Sequence, residues 1–259
     1  MYQNVIEDMI SVAKEAMKII LKYYHDGFHV EIKNDNSPVT EADKASDKLI
    51  REFLKGKYPD YAFLTEESVD DKSRLKNDYV FIIDPLDGTE DYVHRDGEFT
   101  INIALSYKHE IVAGVVAIPV SGVIYYATKN GGAYKLYPDG KLEKIHVSDK
   151  VEDLTCLTSV YHANKQEQET IKKYSDRITH VIKKGSSLKA CEIAEGKAEI
   201  SYRLSSGTKE WDTAAFDIIV KEAGGYVLKL DKTPITYDRE DVVNRDYYLV
   251  VNRLENFLI

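Results

Sequence analysis

The chain has 259 residues, 43% of them hydrophobic and 31% charged, which allows a sizeable core and leaves no case for extensive disorder. A formal charge of -9 speaks against a nucleic-acid-binding surface, because phosphate backbones attract clustered Lys and Arg. A phosphorylated small molecule entering an acidic pocket would need bound divalent cations to hold it. Cys156 and Cys191 are too few for a disulfide scaffold and lack metal-type spacing. The start, MYQNVIEDMI, has no basic region followed by an apolar run, and no stretch approaches about 18 apolar residues, so a soluble cytoplasmic protein without a transmembrane segment is the default expectation.

Apolar residues from Val5 to Tyr24 recur at helical spacing and predict a long amphipathic helix that Gly27 stops. A polar loop, KNDNSP, leads to Thr40 and a second helix with Leu49, Ile50, Phe53 and Leu54 on one side, interrupted by Pro59. Two helices thus precede the first strand. From residue 79, YVFII, FTINIALS, IVAGVVAI and VIYYAT are short, rich in β-branched and aromatic residues, and read as strands of one sheet. The second half alternates: strand-like TCLTSV, a polar helix near residues 165 to 174, strand-like ITHVIK, a helix from Ser187, strand-like AEISY, a helix after Asp212, then YVLKL and YYLVV. The expected fold class is α/β, with an α+β half over 1–148 and an α/β half over 149–259, joined without a Pro-rich or Gly/Ser-rich linker.

The strongest local signal is the buried-strand candidate Val80-Phe81-Ile82-Ile83 running into Asp84-Pro85-Leu86-Asp87-Gly88-Thr89. Pro85 fixes one backbone angle and Gly88 permits a tight turn, so Asp84, Asp87 and the Leu86 carbonyl could converge as hard oxygen ligands suited to magnesium. An ordinary acidic turn after a strand fits the hexapeptide equally well. Glu66-Glu67 behind another apolar segment reads, taken alone, as solvated surface. Asp212 sits at a helix start, where an N-cap is the simple reading, and Trp211 reads as packing. Asp43 follows Thr40 by three residues, the spacing of a capping box. Gly185, Ser186, Ser187 and Lys189 join a strand to a helix; their amides, hydroxyls and ammonium could hold a phosphate, although capping also explains the serines. The histidines lack metal-ligand spacing, and His94 and His162 read as surface or hydrogen-bonding residues.

Taken together, Glu66-Glu67, then DPLDGT after a hydrophobic strand, then Trp211-Asp212 before a helix ending at Gly-Gly, resemble the lithium-sensitive, magnesium-dependent phosphomonoesterase superfamily of inositol monophosphatase and fructose-1,6-bisphosphatase. KNDNSPVTEAD, GEFTINIAL, GSSLKACEIAEGKAE and WDTAA are similar to the CysQ-type 3'(2'),5'-bisphosphate nucleotidases within it. The resemblance covers most of the chain and implies a layered α/β/α/β/α fold and removal of the 3'-phosphate of adenosine 3',5'-bisphosphate. It also implies that Glu66, Asp84 and the Leu86 carbonyl bind one magnesium ion and that Asp84, Asp87 and Asp212 bind a second, with a third on the Glu66 side allowed. Thr89, paired with Asp43, would orient or deprotonate the attacking water, with Glu67 in support. Gly88, Thr89, Gly185, Ser186, Ser187 and Lys189 would face the substrate. The CysQ type has an Arg before the Trp-Asp motif, whereas Arg203 lies one position out of that register; oligomeric state stays open.

The four carboxylates Glu66, Asp84, Asp87 and Asp212 carry four negative charges, which two divalent ions would balance. An inositol monophosphatase-like enzyme with the same metals and a sugar-phosphate substrate is the nearest rival. A phosphatase of the haloacid dehalogenase type is a second, but its acids stand two apart, whereas Asp84 and Asp87 are three apart. A non-catalytic metal- or nucleotide-binding regulator is the alternative of a different class.

Overall fold

The structure, a computed structural model, describes residues 2–33 and 37–259; residues 34–36 of the KNDNSP loop lie outside it. Helix α1 (Gln3–Asp26) buries one stripe that includes Ile6, Met9, Val12, Ala16 and Ile20. Gly27, at φ 104°, closes it with its N–H on the Tyr23 carbonyl. A short antiparallel pair follows, β1 (Val30–Ile32) and β2 (Pro38–Thr40), then α2 (Glu41–Lys57) and β3 (Ala62–Thr65). These three strands correct the expectation that only helices precede residue 79. At three or four residues each, they are too short for an alternating pattern to register.

A 3-10 turn at Ser73–Lys76 leads to β4 (Tyr79–Asp87), α3 (Thr89–His94), β5 (Thr100–Tyr107), β6 (Glu110–Ile118), β7 (Val123–Thr128), β8 (Gly132–Leu136) and β9 (Leu142–Ile145). Strands β3 to β9 form one seven-stranded sheet in sequence order, antiparallel except for the parallel β3–β4 pair. Alternation along the strands divides its apolar residues between two faces. Phe81, Ile83, Ile101 and Ile103 pack against α1 and α2, while Val80, Ile82 and Ala104 enter a second core on the opposite face. Both faces are covered, so the strands read as continuous apolar runs.

The second half comprises β10 (Leu154–Ser159), α4 (Lys165–Lys173), β11 (Ile178–Lys184), α5 (Leu188–Ala194), β12 (Ile200–Arg203), α6 (Glu210–Glu222), β13 (Tyr226–Lys229) and β14 (Tyr248–Val251). Its sheet has the order β11-β10-β12-β14-β13, parallel from β11 to β12 and antiparallel beyond. Helices α5 and α6 lie between the sheets: their Ile193, Ala214 and Ile218 share one core with Val80 and Ile82 of the first sheet and with Leu157 and Val250 of the second. Burying each such Val, Leu or Ile side chain contributes about 1.5–3 kcal/mol. Ile171 and Tyr174, from α4 and its end, cover the outer face of the second sheet. The layers are therefore α/β/α/β/α.

Helix α6 is buried on nearly every side, as a middle-layer helix must be. Its approach to the first sheet is set by Gly114 of β6, where a Cβ would lie 2.4 Å from the Ala215 carbonyl oxygen. That contact fixes the height of the first turn of α6, which carries Asp212. Among the described residues no helix is long and apolar enough to cross a membrane.

Candidate active site

Strand β4 continues past the point where the sequence suggests a turn. Asp84 pairs with Asn102 of β5 and Asp87 with Thr100, so Pro85 and Leu86 together oppose the single residue Ile101. This is a β-bulge, at which Pro85 has no N–H to withhold from the ladder. In a regular strand, residues three apart point to opposite faces; the extra residue brings Asp84 and Asp87 to one side. The turn comes at Gly88, φ 86°, from which α3 starts.

Asp84, Asp87 and Asp212 each place a carboxylate oxygen within 4.8 Å of the other two. One oxygen of each is tied to the fold. Asp84 Oδ1 accepts the Leu86 N–H at 3.0 Å. Asp87 Oδ2 accepts the Ser187 N–H at 2.8 Å, the Ser187 hydroxyl at 2.7 Å and Asn102 Nδ2 at 3.2 Å. Asp212 Oδ2 accepts the Lys209 N–H at 2.6 Å. Asp212 is thus the third residue of α6 and reaches back to the segment before it, in place of the expected N-cap.

The surroundings raise the proton affinity of Asp84 and Asp212. Burial pushes Asp84 well above the usual carboxylate range, and the charges of Glu66, Asp87 and Asp212 add to it. Asp212 is raised to about 7, first by burial and then by Asp87 and Glu66. A set of hard oxygen donors whose mutual repulsion calls for a positive charge fits a divalent cation of the magnesium type.

Glu66 lines the same cavity, and the solvated-surface reading of Glu66-Glu67 does not hold. Their side chains are 20% and 8% exposed, and Lys33 Nζ donates to both, at 2.8 and 2.5 Å. Glu67 stands behind the cavity lining and is raised to about 7, chiefly by burial and against the pull of Lys33. Asp43 serves both of its readings. Its Oδ2 accepts the Thr40 N–H and hydroxyl at 2.8 and 2.5 Å, completing the capping box of α2, and its Oδ1 accepts the Thr89 hydroxyl at 3.1 Å. Burial raises the Asp43 carboxyl in spite of these bonds.

The turn from 185 to 189 borders the cavity, with its polar groups directed largely at the protein. The Gly185 N–H donates to Glu98 Oε2 at 2.7 Å, and a Cβ there would fall 2.3 Å from Asp91 Oδ1. Ser187 holds Asp87. Lys189 Nζ donates to the Ser186 and Lys184 carbonyls at 2.7 and 3.2 Å, and burial lowers its pKa. Ser186, at φ 42°, keeps a buried hydroxyl without a partner among the described residues. Gly88 lies across from it: a Cβ on Gly88 would meet Ser186 Cβ at 3.2 Å.

The cavity measures about 430 Å³ and extends from the carboxylates to Ser159, Tyr202, Arg203, Thr208 and Tyr248. Nε of Arg203 is buried there with no hydrogen-bond partner among the described residues. His162 also lines it and stays exposed, 3.4 Å from Glu90, while the His94 ring stacks on Tyr161. Asn102 and Lys33 escaped the sequence reading. Asn102 carried a signal, as a polar residue at a buried position inside an apolar strand.

The model of the inositol monophosphatase family matches residues 1–255. The 3'(2'),5'-bisphosphate nucleotidase CysQ of Aggregatibacter actinomycetemcomitans is 32% identical over 254 residues, covering 96% of this chain and 94% of that protein. CysQ of Escherichia coli strain K12 is 36% identical over 244 residues, covering 92% and 96%. The crystal structure of CysQ from Bacteroides thetaiotaomicron superposes with a TM-score of 0.85 at 32% identity, over 97% of this chain and 98% of that one. A carboxylate cluster where a strand bulge meets a helix start, the five-layer fold and a match over nearly the whole length agree: this chain belongs to the inositol monophosphatase family of metal-dependent phosphatases.

Proposed function

We propose that the protein is a magnesium-dependent 3'(2'),5'-bisphosphate nucleotidase that removes the 3'-phosphate of adenosine 3',5'-bisphosphate, leaving AMP and phosphate. The observation that carries the substrate class is the pairing, in one cavity, of the carboxylate cluster with the partnerless buried Nε of Arg203. A cluster that attracts cations suits one phosphate, and a free guanidinium edge suits another anionic group some distance away. The relatives named above are called 3'(2'),5'-bisphosphate nucleotidases, which supports a bisphosphorylated nucleotide as the substrate class.

Glu66, Asp84, the Leu86 carbonyl, Asp87 and Asp212 would hold two magnesium ions. When bound, the ions would lower the pKa of the attacking water and neutralise charge on the phosphate and its leaving oxygen. The residues around them position and move protons. Because the Thr89 hydroxyl donates to Asp43 Oδ1, its lone pairs are free to accept a proton from the attacking water, and its own proton can pass to Asp43. The burial that raises Asp43 makes it a better base for this purpose. Ser187 and Asn102 fix Asp87, and Lys189 fixes the turn that holds Ser187. The donors on Arg203 would receive the second phosphate.

The test is phosphate release from adenosine 3',5'-bisphosphate and from inositol 1-phosphate, each with and without magnesium. Release from the nucleotide should dominate and require the metal. Faster release from the inositol ester would overturn the substrate assignment. Magnesium-dependent nucleotide binding without turnover on either ester would instead support a regulator.

A further inference from the structure

A buried ionic chain joins the two walls of the carboxylate site from behind, and Asp70, Arg74, Asp238, Arg239 and Glu210 all lie outside the cavity lining. Arg74 is only 1% exposed, on the 3-10 turn that follows the Glu66-Glu67 loop. Its Nε and Nη2 donate to Asp70 Oδ2 at 3.2 and 3.0 Å. Across the interface its Nη1 donates to Asp238 Oδ1 at 2.6 Å and its Nη2 to the Arg239 carbonyl at 2.6 Å. The 238–239 turn in turn grips α6: Glu210, fully buried, accepts the Asp238 N–H at 2.6 Å, the Arg239 N–H at 2.9 Å and Arg239 Nε at 3.1 Å. Arg239 Nη2 continues to Asn244 Oδ1 at 2.7 Å, and Asn244 Nδ2 donates to the Lys209 carbonyl at 3.0 Å.

The ends of this chain are informative. Asp70 is four residues beyond Glu66, and Glu210 is two residues before Asp212. Burying a guanidinium and its carboxylates is costly unless geometry is fixed on both sides, and a bidentate fork fixes distance and angle together. We propose that Arg74 is a positioning residue, which sets the spacing between the Glu66 loop and the Asp212 turn so that the two walls together hold the pair of cations. The inference rests on the reading of Glu66 and Asp212 as metal ligands. It predicts that loosening Arg74 weakens the metal before it harms the chemistry.

Arg74→Lys keeps the charge and loses the fork, while Asp238→Asn weakens the Arg74 bond and keeps the Asp238 N–H on Glu210. Magnesium alone would be titrated calorimetrically into chelator-treated wild type and each variant, with circular dichroism to confirm folding. Turnover would be followed against magnesium concentration. Supporting partners of a metal site typically change its affinity about 10–100-fold, so magnesium should bind each variant about tenfold more weakly. The turnover midpoint should shift in parallel, and kcat at saturating magnesium should return to near the wild-type value. In an Asp212→Asn background, Arg74→Lys should weaken binding no further. A lower metal-free melting temperature with unchanged magnesium affinity would mean a purely structural brace and overturn the proposal, as would additive losses in the double variant. If wild type itself binds no magnesium, the metal-ligand reading fails together with it. Should Arg74→Lys not fold, Asp238→Asn decides by the same criteria.

Discussion

The bulged end of β4 and the turn at 185–189 face one cavity and use their polar groups in opposite ways. At the bulge, Asp84 and Asp87 crowd together with Asp212, and the proton affinities of Asp84 and Asp212 rise, so that wall is incomplete without a cation. At the turn, Ser187 and Lys189 already have partners in the protein: Ser187 on Asp87, Lys189 on two carbonyls. One wall offers ligands, and the other holds ligands in place. Short motifs rich in polar residues cannot by themselves be assigned to either job.

The sharpest way to break the contrast is at the carboxylates. Asp84→Asn or Asp212→Asn should lower turnover by at least about 10³-fold while circular dichroism stays unchanged. The metal-free Asp212→Asn protein should melt higher than wild type, because a repelled buried charge is gone; a lower melting temperature would contradict the crowding. Thr89→Ala should cost about 10²–10⁴-fold in kcat, and Thr89→Ser should restore most of it, as expected for a hydroxyl that relays a proton to Asp43. Equal losses in both would remove Thr89 from the proton path.

The pH dependence tests the same wall. Asp212 has a folded pKa of about 7 against an ordinary 3.8, and Asp84 is shifted the same way. Magnesium must displace these protons, so its affinity should rise from pH 6 to pH 8, by up to about tenfold per pH unit for each proton displaced. Without metal the sign reverses. Raised acids hold protons in the fold that the unfolded chain has released, so their contribution to stability is present below about pH 4 and is lost as pH rises through about 7. A metal-free melting temperature that climbs between pH 5 and pH 8 would refute this.

The smallest effect belongs to the supporting wall. Ser187→Ala removes one of the bonds that hold Asp87 and should weaken magnesium binding about tenfold, with the substrate's KM little changed once magnesium saturates. A large KM effect at saturating magnesium would place the Ser187 hydroxyl on the substrate.

Most of the layer order was legible, because strands covered on both faces and amphipathic or fully apolar helices leave strong local patterns. YVFII, FTINIALS and IVAGVVAI each became a strand of the first sheet, and α1 ends at Gly27 as its periodicity indicates. The acids were legible as residue types in sequence order. Their geometry was not: the bulge depends on how β4 registers against β5, and no single segment carries that information. The bond from Ser187 to Asp87 spans 100 positions, and Lys33 reaches Glu66 and Glu67 from a hairpin too short to announce itself. Capping boxes at Asp43 and Asp212 show why simple and functional readings of one residue need not compete, since one oxygen can serve the backbone while the other faces a partner.

The bulge at Pro85–Leu86 makes the site depend on counting. If β4 ran on regularly with both residues kept, two-residue alternation would turn one of the two aspartates into the opposite apolar layer, where Phe81 and Ile83 pack. Every acid would still be encoded, yet the metal wall would be gone. Insertions in the surface hairpins between β6 and β9 leave that count untouched. Variation of this scaffold should therefore tolerate lengthened outer loops far better than a change that straightens the bulge, and insertions in the loops between β6 and β9 should leave magnesium binding intact.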